Sequence, residues 1–328
     1  MLNSGVHLVE GLQSLSRQAE DPALSSAIAA MAGRLAKGQP LHKALEAARG
    51  FLPLEVGLVK VGETSGSLHT ILLRLADLCE KGDATRRKLV SAMIYPAFVM
   101  TLCVVLLIFA PVFVFADLLD LLRELNTGLP LPTRIFLAFS DLVLSPLFYL
   151  LALGGLGATA VAVRDVWTRP ARRMAFEGVL FDLPGIGPAL RNALAADVCQ
   201  AIATCYAAGI PMLRCLTLSR EVTWSRLLAQ RLESSKADLQ NGHSLSEALS
   251  GTGFFSGMSL TILAGGEEVG LIAEALNNVE KTTREAMEHS LESMQKLLEP
   301  LVMLFIGVIV GFIAIATLAP TLQVVQGI

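Results

Sequence analysis

The chain has 328 residues, of which 53% are hydrophobic and only 17% are charged, and its formal net charge is −3. Because soluble proteins are usually about 25% charged, this composition disfavours an ordinary soluble enzyme and favours a membrane protein. The slightly negative net charge also excludes a nucleic-acid-binding protein that works through an overall basic surface, so no nucleic-acid partner is expected.

The first segment, residues 1–92, is predicted to form a helical module. Apolar residues recur there every three to four positions, at Leu24, Ile28, Met31 and Leu35. This is the spacing of an amphipathic helix. Gly38, and Gly242 later in the chain, are typical of residues that end a helix. The first residues do not combine a basic region with an apolar core, so no cleaved signal peptide is expected.

Three long stretches carry no charged residue, and they cover residues 89–116, 142–163 and 300–328. A helix needs roughly 20 residues to cross a hydrocarbon core about 30 Å thick, and it satisfies its own backbone hydrogen bonds in lipid. We therefore predict transmembrane helices at 93–116, 143–163 and 298–318.

Basic residues flank two of these spans and indicate the orientation of the chain. They are Lys81, Arg86, Arg87 and Lys88 before the first span, and Arg164, Arg169, Arg172 and Arg173 after the second. Because basic flanks stay in the cytoplasm, residues 1–92 and 164–297 are predicted to be cytoplasmic. The loop 117–142 and the tail 319–328 are predicted to be periplasmic.

The chain repeats itself at a constant offset of 204 residues, which is a signal at the level of the fold. The matched pairs include Gly5 with Gly209, Leu12 with Leu216, Gly38 with Gly242, Leu41 with Leu245, Leu45 with Leu249, Phe51 with Phe255 and Pro96 with Pro300. Each repeat contains one soluble module and one span, and the unpaired middle span returns the chain to the cytoplasm. The predicted fold is therefore all-α, a polytopic membrane protein with two homologous cytoplasmic helical bundles and three transmembrane helices.

The two repeats are predicted to be unequal. The second module, residues 164–297, has a helical stretch at 192–208 before the repeat-matching Gly209, whereas the counterpart of this stretch would lie before residue 1. The first bundle is thus expected to be short by one helix, or to be completed by another chain. Further on, Glu280, Arg284, Glu288 and Glu292 recur at four-residue spacing. Most of these charges are expected to form the solvated face of the helix that enters the third span.

Residues that carry chemistry are sparse. The five cysteines lack the spacing of zinc or redox motifs, the five histidines are scattered, and no phosphate-binding loop occurs. The sequence therefore predicts no catalytic residue, no metal site and no cofactor. Apart from Glu299 at the entry of the third predicted span, no Asp, Glu, Lys, Arg or His lies within a predicted span, which disfavours an ion-coupled carrier.

One acidic turn occurs twice, once in each repeat. It contains Gly62, Glu63 and Gly66 in the first copy, and Gly266, Glu267 and Gly270 in the second. Two glycines four positions apart around an acid describe a tight turn between helices. Either the glutamate caps backbone amides within the fold, or the exposed acidic turn binds a basic partner surface. Under the second interpretation, all six residues are candidate partner-binding residues.

Together these features resemble the type II secretion system F family of inner-membrane platform proteins. The resemblance rests on the paired Gly-Glu-x-x-Gly turns, on Ala208–Met212 with its weaker counterpart Ser4–Leu8, and on Tyr95-Pro96 and Glu299-Pro300 at the membrane entries. It covers nearly the whole chain, although a longer cytoplasmic N-terminus would be expected from the family.

The resemblance implies a non-enzymatic protein of the bacterial inner membrane that requires no cofactor. The implied partners are a hexameric secretion or assembly ATPase, pilin or pseudopilin subunits, other inner-membrane platform proteins, membrane lipid and further copies of the chain. A small multi-pass transporter or channel component is the alternative, and a membrane-embedded hydrolase is disfavoured by the missing catalytic groups.

Overall fold

The computed structural model describes residues 7–48, 50–124, 138, 142 and 145–326, and these residues are almost entirely helical, without a strand. They belong to two compact units. One unit contains residues 1–87 and 174–290, and the other contains residues 88–173 and 291–328. The prediction of an all-α fold is confirmed for the described part of the chain.

The helices follow the predicted repeat. The first repeat contains α1 (Leu8–Gln18), α2 (Pro22–Ala36), α3 (Leu41–Ala47), α4 (Pro53–Ser65) and α5 (Leu68–Glu124). The second contains α9 (Met212–Ser219), α10 (Arg226–Gln240), α11 (Leu245–Ser250), α12 (Gly257–Glu268) and α13 (Ile272–Gln326). Each of these five helices begins 204 residues after its counterpart, so the repeat in sequence is a repeat in structure.

Among the described residues, three further helices lie between the two repeats, namely α6 (Pro146–Thr168), α7 (Pro170–Asp182) and α8 (Ile186–Ala207). The last of these includes most of the extra helical stretch that was predicted at 192–208. Its residues Leu194, Val198 and Ile202 recur every four positions and are at most 1% exposed. Helix α8 is therefore a central element of the core around which the second module is built.

Capping residues explain where several helices begin and end. Asp21 accepts a hydrogen bond from the Ala23 amide at the start of α2, at 2.8 Å, and Ser225 caps α10 through the Leu228 amide at 3.2 Å. Such caps satisfy amides that have no partner within the helix. Gly38 and Gly242 follow α2 and α10 with φ angles of 79° and 93°. This left-handed conformation suits glycine and confirms the predicted helix end at both positions.

Both helical modules lie in the first unit and share one hydrophobic core. Leu54 and Leu58 of α4 and Leu216 of α9 are at most 1% exposed in that core. Gly57 of α4 lies so close to α9 that an added Cβ would be 3.4 Å from Cδ1 of Leu218. The sequence predicted two modules, and in the structure they pack against each other.

The two modules differ on one face. In the first module, α1, α2 and α3 line an apolar groove whose walls include Leu12, Leu24 and Ile28. The corresponding residues of the second module, Leu216, Leu228 and Leu232, are at most 1% exposed and belong to the core that contains α8.

The second unit contains the later parts of α5 and α13 together with α6. Among the residues whose side chains are described, Leu68–Val105 and Ile272–Phe312 are long and apolar enough to cross a membrane. Neither span is a separate helix, because α5 has 57 residues and α13 has 55. The predicted loop 117–142 is helical as far as Glu124, and the predicted tail 319–328 is helical as far as Gln326. Most of the loop lies outside the described residues.

Candidate functional site

The two Gly-Glu-x-x-Gly turns lie at the ends of α4 and α12, directly before the long helices α5 and α13 begin. In the first turn, the Glu63 carboxylate accepts hydrogen bonds from the backbone amides of Leu41 and His42, at 2.5 and 3.1 Å. It also contacts Nδ1 of the His42 ring. These amides are the first two of α3, where the helix provides no acceptor of its own. Glu63 therefore caps a helix that ends well before it in the chain.

Hydrogen bonding also changes the acidity of Glu63. Partial burial raises the pKa of the carboxyl group, but hydrogen bonds from the His42 side chain and from the His42 and Leu41 amides outweigh burial. The pKa of Glu63 is therefore held below its ordinary value. An ionised carboxylate at a helix N-terminus is also favoured by the helix dipole.

Glu267 makes the equivalent contacts in the second repeat. Its carboxylate accepts hydrogen bonds from the amides of Leu245 and Ser246, the first two residues of α11, at 2.6 and 2.9 Å. A second acid, Glu247, contributes to the cap of the same helix. Its carboxylate accepts a hydrogen bond from the Ser244 amide, and the Ser244 hydroxyl accepts one from the Glu247 amide. This reciprocal arrangement is a capping box. The same long-range cap thus occurs in both repeats.

The glycines of the turn have separate roles. An added Cβ at Gly62 would lie 3.0 Å from Cγ1 of Ile71 and 3.1 Å from Cα of Leu68, and one at Gly266 would overlap the Ala275 side chain. The first glycine of each turn therefore lets α4 or α12 approach the start of the next helix. Gly66 and Gly270 end these helices with φ angles of 73° and 74°, in the left-handed region.

These hydrogen bonds agree with the capping interpretation of the two glutamates. The carboxylates are directed toward backbone amides of their own module, and the Glu63 side chain is 19% exposed. Binding of a basic partner by these turns stays a prediction. The neighbouring surface that is accessible to a partner includes Val269, which is 68% exposed.

A second polar site joins α5, α8 and α13, and its centre is Arg284. The Arg284 guanidinium donates hydrogen bonds to Glu280 Oε1 at 2.7 Å and to the Thr85 hydroxyl. It also reaches Oε1 of Gln200 at 3.3 Å and lies 3.9 Å from Oδ1 of Asp197. We call these residues the Arg284 cluster. Because α5 and α13 are counterparts in the two repeats, the cluster links the two modules by polar contacts.

Asp197 is the unusual member of the Arg284 cluster. Among the described residues, its Oδ1 atom is buried without a hydrogen-bond partner. Burial raises the pKa of Asp197 to about 6, with the nearby Glu280 adding to the effect and Arg284 opposing it. The group is therefore partly protonated close to neutral pH.

The cluster corrects one prediction from the sequence. Glu280 was expected on a solvated face, but it is only 7% exposed, and the Arg284 side chain is 16% exposed. The four-residue spacing of the charges was compatible with an exposed face, but α5 and α8 cover this side of α13. Sequence reasoning also missed Asp197, although an acid in the alanine-rich segment 192–203 was a usable signal.

The cysteines form no site for chemistry in the described residues. Cys199, Cys205 and Cys215 are fully buried, and Cys79 is the exposed one. Burial raises the pKa of Cys199, and the hydrogen bond with Cys215 raises that of Cys205. Since the thiolate is the reactive form, these thiols are poor nucleophiles. In the described part of the chain, no group of three or more His, Cys, Asp or Glu residues is arranged to hold a metal ion.

Comparison with known proteins relates this architecture to a family. Residues 1–116 and 198–320 match the family model described as type II secretion system (T2SS), protein F. The chain is similar to a type IV pilus assembly protein PilC of Thermus thermophilus, with 29% identity over 99% of this chain and 80% of the relative. It is similar to a type II secretion system protein F of Pseudomonas aeruginosa, with 26% identity over 99% of this chain and 80% of the relative.

The two matched segments cover most of the two structural repeats, and α6 and α7 lie between them. A PilC protein of Myxococcus xanthus is 27% identical over 98% of this chain and 76% of that relative. The expectation raised by the repeated turns and the membrane entries is therefore confirmed: the chain belongs to the type II secretion system protein F family.

Proposed function

We propose that this protein is a non-enzymatic platform protein of a type II secretion or type IV pilus machine. In this role it couples a cytoplasmic hexameric ATPase to the assembly of pilin or pseudopilin subunits in the inner membrane. The family membership and the names of the relatives support the platform role. The other proposed partners are further inner-membrane platform proteins and further copies of this chain.

The observation that carries the coupling proposal is the continuity of α5 and α13. Each helix begins in the unit with the shared core and continues into an apolar segment of the other unit. A continuous helix transmits displacement along its axis, because its backbone hydrogen bonds resist bending and stretching. Movement imposed on the cytoplasmic modules would therefore reach the membrane through two helices, α5 and α13.

The Arg284 cluster supports coordinated movement of these two helices. Lys81 and Thr85 of α5 face Glu280 and Arg284 of α13, with Lys81 Nζ 3.9 Å from Oε2 of Glu280. Charged hydrogen bonds of limited exposure are costly to break without replacement. The cluster would thus keep the two helices in one register while the ATPase acts on the modules.

The proposed topology has three spans, with α6 as the middle one and both modules in the cytoplasm. Helix α6 has 23 residues, enough to cross a bilayer, and its N-terminal 18 residues carry no charge. The arginines that follow it fit the cytoplasmic side.

Co-purification in mild detergent tests the proposed function. A tagged full-length chain, isolated from cells that express its machine, is expected to retain a hexameric ATPase and a pilin-like protein. Recovery of the folded protein without either partner, together with solute flux in liposomes that contain it alone, would instead favour a transporter or channel component.

Docking through the acidic turns is tested in the same assay. We propose Glu63 and Glu267 as contacts for a basic surface of the ATPase. The double variant Glu63→Lys/Glu267→Lys is then expected to lose the ATPase. Because both glutamates cap helices, a second variant is needed, and Glu268→Lys introduces the same charge within the second turn at an exposed residue. Unchanged retention of the ATPase by a folded double variant removes the docking proposal.

A further inference from the structure

Helix α7, which lies between the two repeats, has two faces of different character. On one face, Glu177 and Phe181 are 2% and 3% exposed. The Glu177 carboxylate accepts from the Ser225 hydroxyl at 2.8 Å and from the Leu227 amide at 2.9 Å, at the start of α10. Phe181 packs edge-on against Phe254, with ring centroids 5.1 Å apart. This face fixes α7 to the second module.

The other face exposes large apolar side chains. Phe176 is 53% exposed, Val179 is 66% exposed, and Leu183, directly after the helix, is 44% exposed. These positions are three and four residues apart, so they lie along one side of the helix, and Arg172 precedes them by one turn on the same side. An apolar stripe beside a basic residue is typical of a helix that lies in the membrane interface.

The position of α7 in the chain brings this stripe close to the bilayer. Only Arg169 separates α7 from the end of α6, the proposed middle span. Phe176 is eight residues beyond Thr168 in the chain, in the second turn of α7. Trp167, near the end of α6, is 61% exposed, and tryptophan is enriched at membrane interfaces.

The charges around the start of α7 complement an anionic lipid surface. Residues 164–173 contain four arginines and one acid. Asp165 pairs with Arg169 at 2.8 Å and with Arg172, and the guanidinium of Arg173 lies 4.7 Å from the centre of the Trp167 ring. These ten residues carry a net charge of +3, and this charge attracts the phosphates of anionic phospholipids.

We propose that the exposed face of α7 binds the cytoplasmic surface of the membrane, with Phe176, Val179 and Leu183 in the boundary between headgroups and acyl chains. The occupant of this face is anionic phospholipid. Because Glu177 and Phe181 hold the opposite face, α7 would fix the height of the second module relative to the bilayer. This inference rests on the proposed topology, in which α6 crosses the membrane.

Three matched cysteine variants in the full chain test the inference. Val161→Cys in α6, Val179→Cys in α7 and Val269→Cys after α12 replace valines that are 68%, 66% and 68% exposed. Each is made with Cys79→Ser, because the other four cysteines are buried. The variants are labelled with an environment-sensitive fluorophore in nanodiscs that contain phosphatidylglycerol and a doxyl-labelled lipid quencher.

We expect quenching by more than about half at 161 and 179, and by less than about a tenth at 269, because an interfacial helix inserts its apolar face by about 5–10 Å. Quenching at 161 without quenching at 179 would overturn the inference while the topology stands. The absence of quenching at 161 would instead overturn the topology, and with it the inference.

A fourth variant guards against an effect of the label itself. With the fluorophore at Phe176→Cys, the further change Val179→Glu places a charge in the same stripe. Quenching at 176 is expected to fall at least about twofold, since a buried charge opposes insertion. Unchanged quenching would mean that the stripe does not hold α7 on the lipid, and the inference would fail.

Discussion

At the scale of single residues, one glutamate in each repeat connects parts of the module that are far apart in the sequence. Glu63 reaches the amides of Leu41 and His42, and Glu267 reaches those of Leu245 and Ser246. The sequence predicts the acidic turn because it occurs twice. It does not identify the amides, since a backbone donor has no signature in residue type. Only the packing of the short helix against the turn brings them within reach.

We predict that Glu267→Gln destabilises the cytoplasmic unit by about 1 to 3 kcal/mol, because the amide side chain loses the charge and one acceptor at the α11 terminus. The matched control is Glu268→Gln, which changes an exposed neighbour and is expected to have little effect. Thermal unfolding in detergent, followed by circular dichroism, measures both. Equal stability of the two variants would contradict the capping role.

The lowered pKa of Glu63 also predicts that its contribution to folding stability depends on pH. Because the pKa of Glu63 is lowered in the folded state, its contribution is present above the unfolded pKa and is lost as the pH falls through the folded pKa. The variant Glu63→Gln is therefore expected to differ from the original protein more at pH 7 than at pH 3. Unfolding temperatures at the two pH values provide the measurement, and a difference that does not change with pH would contradict the assignment.

The contribution of Asp197 to folding stability is predicted to change with pH in the opposite direction. Its pKa is raised to about 6 in the folded protein, so its contribution is present below the unfolded pKa and is lost as the pH rises through about 6. Relative to the original protein, Asp197→Asn should gain stability between pH 4.5 and 7.5. The gain over this range is on the order of 2 kcal/mol, and the pKa of about 6 already includes the attraction to Arg284. Denaturant unfolding at both pH values tests this, and a relative loss of stability toward pH 7.5 would contradict it.

At the scale of helices, the repeat is the most informative part of the sequence. Gly38 and Gly242 mark helix ends in both copies, and five helices begin at the same offset. The sequence predicted a helix that enters the third span. It did not predict that α5 and α13 are single helices of 57 and 55 residues, because a change from polar to apolar composition marks the entry into lipid but not where the helix begins or ends. The buried Glu280 was missed for a related reason, since helical spacing does not reveal which neighbour covers a face.

Close approach of helices at the first glycine of each turn gives a test at this scale. We predict that Gly266→Ala destabilises the protein by about 1 to 3 kcal/mol, because the new methyl group overlaps Ala275. Gly265→Ala is the matched control, since nothing lies within 4 Å of its added Cβ. As alanine favours helices more than glycine does, the control should be neutral or slightly stabilising. Thermal unfolding compares them, and equal stability would contradict the close approach.

At the scale of the whole molecule, duplication has produced two modules that share one core. The Arg284 cluster and the contact between Gly57 and Leu218 both cross from one module to the other. The sequence predicted the two copies but not their packing, because the contacts join residues far apart in the chain. The topology that was inferred from charge places both copies on the cytoplasmic side, which is consistent with a shared core.

Labelling of intact cells tests that topology. We predict that a cysteine at Asn126, which lies outside the described residues, reacts with a membrane-impermeant maleimide, since the loop is assigned to the periplasm. With Cys79→Ser in the background, Val269→Cys provides the cytoplasmic control and should react only after permeabilisation. Labelling of Val269→Cys in intact cells, or protection of Asn126→Cys, would break the three-span arrangement.

The Arg284 cluster allows binding of the ATPase to be separated from coupling. We predict that Arg284→Gln retains the ATPase in co-purification but strongly reduces secretion or pilus assembly, because α5 and α13 lose the contact that keeps them in register. Lys281→Gln, at an exposed position on the same helix, should leave both activities intact.

Removing one partner of a buried ion pair is itself destabilising, so the double variant Glu280→Gln/Arg284→Gln, which removes both charges, is measured alongside. A double variant that is as stable as the original protein and still fails in assembly would show that the cluster couples the helices. Normal assembly by Arg284→Gln would show that the coupling passes through other contacts.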